Sequence, residues 1–131
     1  MSLHAILFLI GRLIYGGYFL MSGWSHFKNT EMMAGYAASK GVKNGKIAVL
    51  GSGVLLVLGG LGIVLGSAIP LAVLCIVIFL LPVSFMMHAY WKDTDAMQKM
   101  SNRINFMKNM ALLGAALIFL MIPSPWIWSL F

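Results

Sequence analysis

The chain of 131 residues is 61% hydrophobic and 9% charged. Soluble domains carry about a quarter charged residues, so this composition excludes an ordinary soluble enzyme, and its high hydrophobicity also excludes a disordered chain. Nine basic and three acidic residues give a net charge of +6, and Cys75 is the one cysteine. A disulfide within the chain, a CxxC redox pair and a thiolate metal cage are therefore excluded.

Four apolar stretches are each long enough to cross a hydrocarbon core of roughly 30 Å as a helix. They predict transmembrane helices at about residues 3–24, 47–66, 68–91 and 106–128, within a single domain over residues 1–131. Gly66, Ser67 and Pro70 predict the turn between the second and third spans, which makes those two helices an antiparallel hairpin. We therefore predict an all-α fold, an antiparallel bundle of four transmembrane helices.

The loop after the first span has a pattern of its own. An apolar side and a glycine stop at Gly41 predict a short amphipathic helix. We expect this helix to lie in the membrane interface. Its apolar side consists of Met32, Met33, Tyr36 and Ala37.

The formal charges are segregated along the chain. Eleven of the twelve lie in residues 28–46 and 92–108, and the twelfth is Arg12. The positive-inside rule places the loops 25–46 and 92–105 in the cytoplasm and both termini outside. Because topology and attraction to anionic lipid explain the basic loops, we expect a lipid bilayer as partner and no nucleic acid.

Arg12 falls near the middle of the first span, and no Asp or Glu lies in any of the four spans. A charge at mid-bilayer costs about 2.5 to 3.5 kcal/mol on insertion scales, so Arg12 needs oxygen partners and marks a candidate functional site. Two interpretations stay open: Arg12 binds an anionic or quinone-like ligand, or it braces the bundle or snorkels outward. Tyr15 and His26 share its helical face, so Arg12 and His26 are expected at two ends of one cavity.

Further polar residues lie near the predicted cytoplasmic ends of the helices. His26 and His88 lie at similar depth, and we expect interfacial hydrogen bonding or proton handling there rather than haem or metal ligation. Asn102, Asn105 and Asn109 form a polar stripe that either faces the histidines or caps and anchors the helix. The candidate ligand-binding residues are Arg12, Tyr15, His26, His88, Lys108 and Asn109, and no metal site is expected.

Several short motifs occur in an order that resembles one family. The first span reads R-L-x-x-G-x-x-F-x-x-x-G-x-x-H-F from Arg12 to Phe27, and the last begins N-F-M-K-N-x-A-L-L-G from Asn105 to Gly114. With Tyr36, Gly41–Val42 and Gly59–Gly60, these motifs resemble DoxX-type membrane proteins over nearly the whole chain. Lys43 departs from the pattern, which has proline after the Gly–Val pair.

The resemblance implies a four-helix integral protein of the bacterial cytoplasmic membrane. Family members are associated with redox systems, including a thiosulfate:quinone oxidoreductase, and with oxidative-stress or quinone-detoxification responses. The matching positions that the resemblance marks as functional are Arg12, His26, Lys108 and Asn109.

Three functions stay open at this point. The first is a membrane component of a redox or oxidative-stress system that binds a quinone or similar small amphiphile. It would have no intrinsic cofactor and would act as a subunit of a quinone-linked oxidoreductase rather than as a stand-alone enzyme. The second is a non-catalytic scaffold or assembly factor that recruits a cytoplasmic oxidoreductase through the basic loops. The third is a small-solute transporter, for which four helices offer room only as a homo-oligomer.

Overall fold

The computed structural model describes residues 2–130, which contain helices and turns and no strand. The helices are α1 (Leu3–Lys28), α2 (Thr30–Ser39), α3 (Gly45–Leu65), α4 (Ile69–Met87) and α5 (Ala96–Phe119), with a 3-10 turn at Tyr90–Lys92. Three segments of this described part are long and apolar enough to cross a membrane: Leu3–Lys28, Gly45–Leu65 and Ile69–Lys92. The predicted all-α class and the membrane-spanning character are therefore confirmed for three spans.

The outer surface of these helices is apolar. Ile14 is 70% exposed, Met21 75% and Ile47 72%, and many other large apolar side chains are exposed beside them. Soluble monomers rarely expose contiguous apolar surface on this scale, and helices satisfy their own backbone groups in lipid. The surroundings of the bundle are therefore a lipid bilayer.

Glycines bring α1 and α3 into close antiparallel contact. A Cβ atom added at Gly16 would lie 2.7 Å from the carbonyl oxygen of Gly60, and one added at Gly60 would lie 2.7 Å from that of Gly16. Towards the other end of the pair, a Cβ atom at Gly23 would lie 3.1 Å from the carbonyl oxygen of Gly53. Small residues permit this close approach of two membrane helices.

The predicted turn between the second and third spans is confirmed. Gly66 ends α3 in the left-handed conformation with φ of 72°, which glycine adopts without a steric penalty. Pro70 follows in the first turn of α4, where its missing N–H leaves no hydrogen bond unmade. The two helices pack closely, because Gly59 and Gly62 leave room for Ile76 and Ala72 of α4.

The last helix differs from the predicted 106–128 at both ends. It begins at Ala96, because the Asp95 side chain accepts a hydrogen bond from the Gln98 N–H at 2.9 Å and caps it. It ends at Phe119, ahead of Pro123 and Pro125, which cannot continue a helix. The apolar pattern located the apolar part of this helix but not the cap or the prolines, and the prediction of helix as far as Trp128 is wrong.

Residues 120–130, the C-terminal segment, fold back over the bundle. The Trp126 side chain is only 3% exposed and packs edge-on against the rings of Phe8 and Phe119. The Leu130 N–H donates to the carbonyl of Leu65 at 3.1 Å, which joins this segment to the end of α3. It closes one end of the bundle.

The opposite end, called the basic end, carries all the Lys and Arg residues except Arg12. Here α1 and α4 end, α3 and α5 begin, and α2 packs against α3 with Ala37 buried. Gly45 approaches the Ala34 carbonyl so closely that an added Cβ atom would lie 2.7 Å from that oxygen. The predicted helix in this loop therefore forms.

Candidate functional site

A cavity of about 570 Å³ lies at the basic end and touches all five helices. Its volume is within the range of about 300 to 1,000 Å³ that is typical of small-molecule sites. Apolar side chains make up most of the wall, including Val49, Ile78 and Phe79. The polar residues in the wall include Tyr18, Ser22, His26, His88, Lys108 and Asn109. We call this space the basic-end cavity.

His26 occupies the last turns of α1 and is 9% exposed. Its Nδ1 atom lies 2.8 Å from the carbonyl oxygen of Ser22, and its ring packs edge-on against Phe79. A carbonyl oxygen only accepts hydrogen bonds, so Nδ1 carries the proton and donates it. In the neutral ring, Nε2 is therefore the acceptor left for a ligand.

His88 directly follows α4, and its ring is held by a chain of side chains. Its Nδ1 atom lies 3.1 Å from Asn102 Oδ1, while Asn102 Nδ2 donates to Asp93 Oδ2 at 2.8 Å. Lys40 Nζ lies 3.9 Å from the other carboxylate oxygen of Asp93. Because the carboxylate fixes the amide orientation, Asn102 presents its oxygen to His88, and His88 Nδ1 donates. Nε2 of this neutral ring is again an acceptor.

Lys108 and Asn109 approach the cavity from α5. Lys108 is exposed, with Nζ 5.4 Å from the centre of the Tyr18 ring and 3.5 Å from Asn105 Oδ1. Asn109 is only 5% exposed, yet its side chain makes no hydrogen bond within residues 2–130. Buried amides are normally hydrogen-bonded, so an amide in a cavity wall without a protein partner is suited to binding a ligand or water.

Arg12 lies away from this cavity, beside the C-terminal segment. Its guanidinium donates to the carbonyls of Ile63 (3.2 Å), Val64 (2.7 Å), Ile127 (2.5 Å) and Trp128 (3.3 Å). The side chain is 3% exposed, and its Cζ lies 5.7 Å from the centre of the Phe8 ring. These carbonyls supply the oxygen partners that a buried arginine needs, so the geometry corresponds to the bracing interpretation.

Tyr15 is also separate from the cavity. Its hydroxyl donates to the carbonyl of Leu112, and its ring packs against Phe19 and Phe119. It therefore joins α1 to α5. The expected cavity from Arg12 to His26 is not present as one space, because the wall of the basic-end cavity contains His26 and neither Arg12 nor Tyr15.

The structure thus brings together four of the six predicted site residues: His26, His88, Lys108 and Asn109. The polar stripe on α5 faces the histidines in part, since Asn102 bonds to His88 and Asn109 lies in the same cavity wall. Sequence reasoning missed Ser22 and Asp93. Ser22 lies four residues before His26 on one helical face, which was a usable signal, whereas nothing local to Asp93 indicates its contact with Asn102.

Within residues 2–130 no three His, Cys, Asp or Glu side chains form a group that could hold a metal ion. The fold and the site define a helical membrane protein with a cavity among its helices at the basic end, whose wall includes histidine and amide side chains.

The family model DoxX matches residues 7–89, so the chain belongs to the DoxX family. No curated protein and no solved structure matches the chain.

Proposed function

We propose that this protein is a membrane component of a redox or oxidative-stress system and that its basic-end cavity binds a quinone or a similar small amphiphile. The observation that carries the proposal is the wall of this cavity. It combines apolar side chains with His26, His88, Lys108 and Asn109, and its volume of about 570 Å³ suits a substituted aromatic ring with part of an alkyl tail.

Each polar group has a role in this proposal. The apolar wall binds the ring, and the Lys108 ammonium and the Asn109 amide donate to the ring oxygens. The neutral imidazoles of His26 and His88 accept the two protons that a bound hydroquinone releases on oxidation, because Nε2 of each ring is an acceptor. The two electrons pass to an oxidoreductase partner in the cytoplasm. Arg12 has no part in binding, since its guanidinium is bonded to backbone carbonyls.

We also propose that α5 is the fourth span and that the protein lies in a bacterial cytoplasmic membrane. The apolar part of α5 packs against α4, and its polar first turns lie among the basic loops. By the positive-inside rule, the basic end then faces the cytoplasm and both termini lie outside. In this orientation α2 lies at the inner membrane interface.

Ligand binding is tested by titrating the protein in lipid nanodiscs with a short-tailed 1,4-quinone and the matching 1,4-hydroquinone. We expect saturable binding of at least one form and a loss of about tenfold for both forms in Asn109→Leu, because a ligand hydrogen bond disappears. Asn109 bonds to nothing in the described protein, so this variant leaves no protein group unpaired.

The matched control is Gln98→Leu, which replaces an exposed amide on α5 outside the cavity wall. This variant should bind like the wild type. Absence of saturable binding of either form, or equal losses in both variants, contradicts the proposal.

Recruitment of a cytoplasmic oxidoreductase is a second candidate function, supported by the exposed charges. Lys40 and Lys46 pair with Asp93 and Glu31, but several other cations of the basic end are exposed and form no ion pair within residues 2–130. These are Lys28, Lys43, Lys92, Lys99 and Arg103. Charge reversal at Lys99 and Arg103 should remove the partner in a pull-down, and unchanged co-purification contradicts this function.

A further inference from the structure

The wall of the basic-end cavity contains two imidazole rings, and in each ring a hydrogen bond to the protein determines which nitrogen is the acceptor. His26 Nδ1 donates to the Ser22 carbonyl, and His88 Nδ1 donates to Asn102 Oδ1. Neither ring can exchange its two nitrogens without placing two acceptors against each other. In their neutral forms both imidazoles therefore offer only a lone pair on Nε2.

A further feature adds to this acceptor character. Pro82 lies inside α4 and has no N–H, so the carbonyl of Ile78 lacks its usual helical donor, and both residues are in the cavity wall.

A 1,4-quinone and its hydroquinone differ in what they present to these acceptors. The two oxygens of the quinone only accept hydrogen bonds, so they pair with Lys108 and Asn109 but leave both imidazole lone pairs unpaired. Each hydroxyl of the hydroquinone donates one hydrogen and accepts through its oxygen, so it can satisfy an imidazole and a donor together. Displacing water from an acceptor without replacing its hydrogen bond weakens binding.

We infer that the basic-end cavity selects the hydroxyl-bearing, reduced form of its aromatic ligand, a hydroquinone or a related diphenol, over the dicarbonyl form. This inference rests on the proposed function and adds the redox state of the ligand. His26 and His88 determine the selection, and Ser22, Asn102 and Asp93 are positioning residues that fix which nitrogen of each ring accepts.

The experiment compares three ligands with the same ring and tail on the intact protein in nanodiscs under anaerobic conditions. They are a 1,4-hydroquinone, the corresponding 1,4-quinone and the 1,4-dimethyl ether, which keeps the oxygens but lacks the O–H donors. We expect the hydroquinone to bind about tenfold or more tightly than either of the others, because it alone satisfies the imidazoles.

Variants separate the role of the histidines from their role in the fold. His26→Phe and His88→Phe keep an aromatic ring without nitrogen. Each should reduce the preference for hydroquinone by weakening hydroquinone binding, while quinone affinity stays at or above the wild-type value because the unpaired lone pair is removed. His4→Phe is the matched control, because His4 is exposed at the other end of α1 and should leave the preference unchanged.

Retained quinone binding shows that a variant is folded, so a lost preference then has a chemical cause. Equal affinity for the three ligands, or tighter binding of the quinone, overturns the inference and leaves the proposed function standing. Failure of all three ligands to bind overturns both.

Discussion

Arg12 holds the end of α3 and the C-terminal segment together through backbone carbonyls. The last carbonyls of a helix have no partner within that helix, and those of residues 127 and 128 lie outside regular structure. The guanidinium has five N–H donors in a fixed planar arrangement, so it donates to the carbonyls of α3 and of the C-terminal segment at the same time. The contacts of Arg12 in the fold therefore account for a buried charge in the first span.

Replacing Arg12 should affect stability and not ligand binding. Arg12→Gln removes the donor from partly buried carbonyls of Val64, Ile127 and Trp128, so we expect a loss of about 2 to 4 kcal/mol in the free energy of unfolding. Thermal unfolding in detergent measures this change. Arg103→Gln, at an exposed position, is the control and should change stability by less than about 0.5 kcal/mol. Loss of hydroquinone binding by Arg12→Gln in a folded protein contradicts this role.

Asn102 links the loop before α5 to His88. Replacement by Leu removes the acceptor of His88 Nδ1 and the donor to Asp93, whose side chain is 8% exposed. We expect Asn102→Leu to lower the free energy of unfolding by about 2 to 3 kcal/mol, because a nearly buried carboxylate loses a donor. Asn105→Leu is the same substitution three residues later, where the amide is partly exposed. Equal melting temperatures for the two variants would contradict the hydrogen bonds that join His88 to Asn102 and Asn102 to Asp93.

At the scale of helices, the contact between α1 and α3 depends on particular glycines. Gly16→Ala places a methyl group 2.6 Å from Val64 Cγ2 and 2.7 Å from the Gly60 carbonyl oxygen, and this oxygen is backbone in a closely packed helix. We expect a loss of about 1 to 3 kcal/mol from overpacking. Gly17→Ala, where no atom lies within 4 Å, should be neutral or slightly stabilising. Unfolding in detergent compares the pair, and equal effects would contradict the packing.

The boundaries of the helices were predictable to different degrees. Gly66 and Pro70 gave the α3–α4 turn because a left-handed stop and a helix start are local signals. Asp95 and the two prolines after Ile122 are equally local signals for the ends of a helix. The average hydropathy of a long segment does not reveal them. Consequently the predicted ends of α5 were wrong, although its apolar part was located.

The contacts of the candidate site were also predictable only in part. The polar stripe of α5 was predictable, since Asn102 and Asn109 are seven residues apart and fall on one face. The partners of Arg12 were not, because residues 127 and 128 approach it only after the C-terminal segment folds back. Helical spacing puts Arg12 and His26 on one face of α1 and therefore predicted a shared cavity. The tertiary contacts place Arg12 against the C-terminal segment and His26 in the wall of the basic-end cavity.

At the scale of the whole molecule, the proposed four-span topology makes a clear prediction. In a Cys75→Ala background, Lys99→Cys and Ser124→Cys place single thiols at exposed positions before and after the apolar part of α5. A membrane-impermeant thiol reagent should label Ser124→Cys in intact cells and Lys99→Cys only in inverted vesicles. Labelling of both from the same side contradicts a fourth span.

The location of the ligand is the central claim, and photoaffinity labelling tests it most directly. A hydroquinone with a photoreactive group on a short tail is irradiated with the protein in nanodiscs, and the modified residues are mapped by mass spectrometry. We predict modification within residues 18–26, 78–88 and 108–109, the ranges that contain the cavity-wall residues of α1, of α4 with His88, and of α5, and its suppression by excess unlabelled hydroquinone. Modification that is not suppressed, or that concentrates beside Arg12 and the C-terminal segment, would contradict the account.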